Sequence, residues 1–297
     1  MRSIYVLGSL NMDLAIYGDK YPDAGETLKG HGFRTGAGGK GLNQAVAASR
    51  LGGNVHFLGA IGKDAFGAQM KETLSKAGVD VSHVAERSNV SSGVALIEVV
   101  NGENRIMIDS GANETISEAE VDDFLSLSQP GDIFLTQGEN NFEAASYAIK
   151  KAHEKKLVVV VNSAPADKRI VKETRNIDII TPNETEFAAL TGSKDYAKKG
   201  YLLDTPILIV TLGKAGSFVS TAGGSFIEPA VKVNVVDTTG AGDAYCGALV
   251  YFLSANEDIK NAVRLAGHYA SLKTTKKGTA VAMPTSDEFS LFEKTLI

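Results

Sequence analysis

The segment Val236-Asp237-Thr238-Thr239-Gly240-Ala241-Gly242-Asp243 sets small residues and free backbone donors at the start of an apolar helix, with one carboxylate just inside it. A helix start of that kind attracts an anion through its unpaired N–H groups and its dipole. The neighbouring aspartate can take the proton of an attacking hydroxyl. Phosphoryl transfer needs both services in one place. Taken alone, the turn serves packing as readily as anion binding, and Asp243 serves charge compensation in the first helical turn as readily as catalysis.

Other polar clusters stand at comparable places. Gly36-Ala37-Gly38-Gly39-Lys40-Gly41-Leu42-Asn43 looks like a P-loop only superficially, because Gly41 follows Lys40 where a Ser or Thr is needed. Its glycines admit a small neutral ligand to the backbone, and Asn43 offers a donor and an acceptor to hydroxyls. A flexible turn with a helix cap is an equal reading. Asn11 and Asp13 follow the first strand-like run, at the sheet edge where open α/β folds bind ligands. Asp13 can accept two sugar hydroxyls, or can be a solvated turn residue. Glu139, Asn162, the group Asn183, Glu184 and Glu186, and the pair Thr211 and Gly213 follow four later strand-like runs. Asn183 and the glutamates also suit a helix cap and first turn. Carboxylates near phosphates usually imply Mg²⁺.

The elements that must position these residues alternate. Apolar runs at Ile4-Leu7, Val55-Gly59, Ile133-Thr136, Leu157-Val161, Ile177-Thr181 and Ile207-Thr211 read as strands, with shorter strands continuing towards Val236. Helices are expected over Leu42-Leu51, Phe66-Ala77, Phe142-Glu154, Glu184-Leu190, Ala241-Ser254, Ile259-Lys273 and Ser286-Lys294. Ser117 with Glu120 forms a capping box for another. The pattern predicts an α/β fold with a mostly parallel sheet. Asp13-Tyr17 with Phe33-Thr35, and Gly93-Val100 with Arg105-Ile108 around a turn at Asn101-Gly102, are expected to form a separate β layer over one edge, as a lid.

Composition narrows the function classes. The 297 residues carry a formal net charge of -5, and no basic run exceeds a Lys-Lys pair, so no nucleic-acid partner is expected. The single cysteine, Cys246, excludes an intrachain disulfide and a thiolate metal cluster. The five histidines are scattered without metal-ligand spacing. No apolar stretch has membrane-spanning length and no cleavable leader is evident, so a cytoplasmic location is expected, without membrane association. No G-x-S-x-G elbow and no G-x-G-x-x-G after the first strand appear, against hydrolase and dehydrogenase readings.

Over nearly its whole length the chain resembles the PfkB-type, or ribokinase-like, carbohydrate kinases. Gly38 to Ala47 with Arg50-Leu51-Gly52 is similar to the N-terminal family signature, and Asp237 to Asp243 to the C-terminal one. Asn11-Met12-Asp13, Pro22 to Thr27, Gly111-Ala112-Asn113 and Thr181 to Glu186 fit as well. The resemblance implies a single kinase domain over residues 1–297, a Rossmann-type three-layer α/β sandwich with a small β-sheet lid from segments near 12–37 and 92–108. It implies Asp243 as catalytic base and the amides of Gly240, Ala241 and Gly242 as anion hole. Asn11, Asp13, Gly39, Lys40, Asn43 and Glu139 match sugar-site positions, while Asn183, Thr211, Gly213 and His268 match the nucleotide side. Glu186 matches the Mg²⁺ region, and Asp237, Thr239 and Thr279 match a monovalent cation site, generally for K⁺. The implied reaction is ATP-dependent phosphorylation of ribose at its 5-hydroxyl, in a homodimer paired through the lid sheets. Another furanose or a nucleoside as acceptor, or a non-catalytic sensor of sugar or nucleotide, are the alternatives. Departures from the family pattern include Ala282, which lacks the hydroxyl common in the cation-site segment, Asp109-Ser110 before Gly111, a short Gly192-Pro206 stretch, and Tyr269 and Lys273 in a helix that is often alanine-rich.

Overall fold

Neighbouring residues of the first strand part company. In β1 (Ile4–Leu7), Ile4 and Val6 enter one apolar cluster while Tyr5 and Leu7 enter another. A strand buried on both faces requires that period of two, and the structure builds helical layers on both sides. The computed structural model describes residues 1–101 and 103–296. Gly102, half of the expected Asn101-Gly102 turn, lies outside the described residues.

From β1 the chain leaves through β2 (Asn11–Gly18) and β3 (His31–Gly38), then returns by α1 (Lys40–Arg50), β4 (Val55–Gly62), α2 (Ala65–Lys76) and β5 (Asp80–Arg87). A second excursion makes β6 (Gly93–Val100) and β7 (Glu103–Asp109). There follow α3 (Glu118–Ser126), β8 (Ile133–Gln137), α4 (Phe142–Glu154), β9 (Val158–Asn162), β10 (Ile179–Ile180), α5 (Glu184–Thr191) and α6 (Tyr196–Lys199). The chain ends with β11 (Ile207–Thr211), β12 (Ser217–Thr221), β13 (Gly224–Glu228), α7 (Ala241–Ser254), α8 (Ile259–Thr274) and α9 (Ser286–Lys294).

The main sheet has nine strands in the order β13-β12-β11-β10-β9-β8-β1-β4-β5, with only β12 and β13 antiparallel to their neighbours. Apolar residues of α1, α2, α7, α8 and α9 fill one face, and those of α3, α4 and α5 fill the other. This is the expected three-layer α/β sandwich. The chain runs from β1 to β4 on one side and later enters β8 on the other. Beyond the carboxyl end of β1 the order therefore reverses, which opens the crevice where such sheets bind ligands.

A second sheet, ordered β3-β2-β6-β7, stands apart from the first. Strand β7 is exposed along its whole length, and Phe33, Leu96, Ile106 and Met107 of this sheet are exposed as well. Strand β5 was not anticipated, because among its eight residues only Val84 is buried, as suits an edge strand with little apolar signal. The expected run at Ile177-Thr181 contracts to two residues, with pairing resumed beyond Pro182 by a bridge between Asn183 and Thr211. The capping box of Ser117 and Glu120 is present.

Candidate active site

The crevice beyond β1 is laced by one carboxylate oxygen. Glu139 Oε2, just past β8, accepts from Ser9 Oγ at 2.6 Å, from the Lys40 amide at 3.0 Å and from Asn11 Nδ2 at 3.4 Å. Three chain segments distant in sequence are thereby drawn to one point. Asn113 braces the same corner: it exchanges hydrogen bonds with the Leu10 backbone at 2.9 and 3.0 Å and donates to Asn11 Oδ1 at 2.9 Å. The turn into α1 needs Gly39, whose φ is 92° and whose missing Cβ would meet Ser9 O and Asn11 N at 2.8 Å. Asp13 lies against Gly38 on the adjoining strand. Burial, followed by the charges of Glu139 and Asp243, pushes its carboxyl up to about 7.

Asp243 lies in the first turn of α7 and is buried. Its two oxygens are held separately, Oδ2 by Asn43 Nδ2 at 2.9 Å and Oδ1 by Gln44 Nε2 at 3.0 Å. Gln44 is in turn fixed by Gln137, which donates to its Oε1 at 3.0 Å, and it also reaches Asn162 Oδ1 at 3.2 Å. Burial pushes the Asp243 carboxyl above its ordinary range, against the opposing pull of Lys40, Gln44 and Asn43. A carboxylate raised in this way, yet kept in one orientation, suits a general base. Lys40 is the local cation. Burial works against its charge, but Asp243, Glu139 and Glu186 outweigh that and hold its ammonium above the ordinary value. Asn43 Oδ1 is buried without a hydrogen-bond partner among the described residues, an acceptor turned to a group the chain does not supply.

The start of α7 is held open. Gly240 adopts the left-handed conformation, φ 72°, and Gly242 has empty space where a Cβ would stand. Ala241 N–H donates to Thr238 O at 3.1 Å, while the amides of Gly240 and Gly242 have no hydrogen-bond partner among the described residues. The Thr239 carbonyl accepts from the ammonium of Lys273 instead of from an amide of α7, and the same ammonium reaches Asp237 O at 3.3 Å. Asp237 spends both carboxylate oxygens on backbone: Oδ1 on Thr239 N–H and Oδ2 on Gly278 N–H, each at 2.9 Å. Burial works against the charged form of Asp237, but these donors and Lys273 hold it below the usual carboxylate range. Thr279 packs beside Gly240.

On the other flank, Asn183 caps α5 in a reciprocal box with Glu186, both hydrogen bonds being 2.8 Å. The capping reading of these residues thus holds. It engages only Oε2 of Glu186, and Oε1 has no hydrogen-bond partner among the described residues. Burial raises the Glu186 carboxyl, with Lys40 opposing and Asp243 adding to the rise. Thr211 bridges to Asn183 at the end of β11, and the exposed Gly213 follows. The His268 ring pairs through Nδ1 with Glu293 Oε1 of α9 at 2.7 Å. Cys246 is buried against Thr181 Oγ1 and its thiol is pushed up to about 12 by burial, so it is an inert packing residue. A cavity of about 320 Å³ between β8, β9 and α4 shares Gln137 and Asn162 with the network but lies towards the other helical layer, away from Asp243.

Geometry and sequence signature can now be set beside known proteins. A model of the pfkB family carbohydrate kinases matches residues 1–286. The ribokinase of Haemophilus influenzae is 36% identical over 296 residues, spanning 97% of both chains. This chain belongs to the pfkB family of carbohydrate kinases. The deoxyribokinase of Salmonella typhi is 34% identical over 297 residues, again 97% of both chains. Among solved structures, the Arabidopsis thaliana ribokinase complexed with ribose and ATP superposes with a TM-score of 0.90 at 27% identity, covering 99% of both chains. As a pfkB family member, the chain is a kinase of the sugar and nucleoside class. No helix among the described residues is long and apolar enough to cross a membrane.

Sequence reasoning gave no role to Ser9, Gln44 and Gln137, and noted Lys273 only as a departure from the family pattern. Ser9, Gln44 and Gln137 are polar yet buried, and each sits in or beside an apolar run that could have drawn notice to it. Lys273 shares the buried face of α8 with Ala262, Ala266 and Tyr269, at spacings of three and four residues. A lysine on such a face signals a fixed charge.

Proposed function

We propose that the enzyme phosphorylates D-ribose at the 5-hydroxyl with ATP as donor, giving ribose 5-phosphate and ADP. The observation that carries this reading is the Asp243 carboxylate, buried at an open helix start and held by Asn43 and Gln44. Asn11, Asp13, Gly39, Lys40, Asn43 and Glu139 form the sugar side. Glu139 Oε1 and Asn43 Oδ1 are without hydrogen-bond partners among the described residues, as acceptors for hydroxyls should be. Asp243 takes the proton from the hydroxyl as its oxygen attacks the γ-phosphorus in line. The bond to the bridging oxygen breaks, ADP leaves, and no phosphoenzyme forms. The amides of Gly240 and Gly242 face the transferring phosphoryl group, where the helix dipole adds to their effect.

Asn183, Thr211 and Gly213 border the nucleotide. Mg²⁺ fits this flank: Glu186 Oε1 is a hard donor beside Asn183, and Mg²⁺ is usually held by one or two carboxylates together with substrate phosphates. When bound, the ion neutralises charge on the phosphates. At the expected monovalent cation site, the Lys273 ammonium already contacts the carbonyls of Asp237 and Thr239. The four-stranded sheet acts as the lid over the sugar. Its exposed Phe33, Leu96, Ile106 and Met107 favour a homodimer paired through these sheets.

Deoxyribose is the second acceptor to weigh, favoured by the similarity to a deoxyribokinase. A coupled ATP-consumption assay over pentoses, hexoses and nucleosides decides the matter. Ribose preferred by about tenfold or more in kcat/KM supports the proposal, and a preference for deoxyribose, a hexose or a nucleoside overturns it.

A further inference from the structure

We propose that the Lys273 ammonium is a built-in substitute for a monovalent cation beside the anion hole, and that turnover is consequently independent of potassium. The proposal rests on the kinase reading of the site. Lys273 lies in the last turn of α8 with no exposed surface. No carboxylate forms an ion pair with it among the described residues; its donors go to the carbonyls of Asp237 and Thr239. Burial works against its charge and holds the ammonium below its ordinary value, while the Asp237 and Asp243 carboxylates oppose that and favour the cation. The C-terminus of α8, whose dipole favours positive charge, adds to their effect. That terminus also grips the same loop, since Thr274 O accepts from the Val236 and Asp237 amides at 2.8 and 3.0 Å.

The remaining oxygens that would complete a potassium site already accept hydrogen bonds from the chain, which leaves each only part of its acceptor capacity. Both oxygens of the Asp237 carboxylate hold backbone amides, and Thr279 O accepts from the Ala282 amide at 3.0 Å. Ala282 contributes no hydroxyl. A free ion would have to displace an ammonium tethered to the chain, while the ammonium already supplies the charge.

The consequence reaches the anion hole through the backbone. In an uninterrupted helix Thr239 O would accept from the amide of Asp243, four residues on. Lys273 holds that carbonyl, and the Asp243 amide, next to that of Gly242, has no backbone partner among the described residues. Lys273 is therefore a positioning residue: it acts on the reaction through the orientation of Thr239 and Gly240, with its charge close behind the loop.

The test compares KCl, NaCl and choline chloride at equal ionic strength. Wild-type kcat should agree within about twofold in all three. Lys273→Ala should lose about tenfold or more in choline chloride and recover several-fold on addition of K⁺ or NH4⁺, which fit the space left. Lys273→Met, which keeps the stem volume without the charge, should lose the same activity and not recover. Rescue separates a lost charge from a merely damaged fold. The melting temperature with ADP present needs no turnover, so it still reports if the kinase reading fails: it should be the same in KCl and choline chloride for wild type. A K⁺-specific rise in wild-type kcat or melting temperature overturns the proposal, whether or not the variants fold. So does a Lys273→Ala variant with full activity in choline chloride.

Discussion

Asn43 Nδ2 donates to Asp243 Oδ2 at 2.9 Å across 200 positions of sequence. The bond ties the start of α1 to the start of α7, so the helix at the proposed sugar side and the helix carrying the proposed base share one fixed geometry. With Gln44 on the other oxygen, the carboxylate has little rotational freedom. An oriented base is worth most when the hydroxyl it serves is equally well placed.

Asp243→Asn keeps the shape and removes the base. Turnover should fall by about a thousandfold or more, while ribose affinity measured by calorimetry stays within a few-fold. Near-wild-type turnover would remove Asp243 from the role.

Gln44→Met keeps volume but leaves Asp243 Oδ1, Asn162 and Gln137 each short of a partner. Each unmet buried group costs about 1–3 kcal/mol. The melting temperature should drop by roughly 5 °C, and kcat should fall about tenfold with ribose KM little changed. A drop in stability with unaltered kcat would mean that Gln44 only supports the fold.

Asp13 predicts a pH effect of definite sign. Its carboxyl lies at about 7 in the folded protein against an ordinary 3.8, so between those values the folded chain keeps a proton that the unfolded chain has released. Stability then falls as pH rises through this window, and the whole cost is present above about pH 7. Asp13→Asn should therefore raise the melting temperature more at about pH 8 than at about pH 5, while weakening ribose binding about a hundredfold. In the wild type, kcat/KM for ribose should decline as pH drops below about 7, as the acceptor carboxylate is lost. Equal gains at both pH values, or unchanged ribose affinity, would contradict this.

Gly242→Ala places a methyl group where nothing lies within 4 Å. The fold should be untouched or slightly stabilised, since alanine is the better helix former by about 1 kcal/mol. Activity should fall about tenfold or more, because the methyl enters the space left for the phosphoryl group. An active variant of normal stability would place the phosphoryl group elsewhere.

Much of this fold could be read from the chain, and the reasons are local. α4 and α7 begin and end where their apolar pattern placed them, at Phe142–Glu154 and Ala241–Ser254. The candidate residues Asn11, Asp13, Gly39, Asn43, Glu139 and Asp243 could be picked out because each follows a strand or starts a helix at one sheet edge. Strand β5 could not, because an edge strand with alternating exposure carries little apolar signal. Gln44 and Lys273 were not assigned roles because their partners are tertiary: Asp243 lies 199 positions from Gln44, and Thr239 lies 34 from Lys273. His268 shows the converse, since its place on an apolar helix did not say that it faces Glu293.

The central claim is transfer of phosphate from ATP to the 5-hydroxyl of ribose. The most direct measurement is phosphorus NMR of the product formed from ribose and Mg-ATP by the wild-type enzyme, with Asp243→Asn run alongside. The account predicts ribose 5-phosphate and ADP in equal amounts from the wild type and almost none from the variant. Phosphate on another hydroxyl, ATP hydrolysis without sugar phosphate, or equal product from both proteins would contradict it.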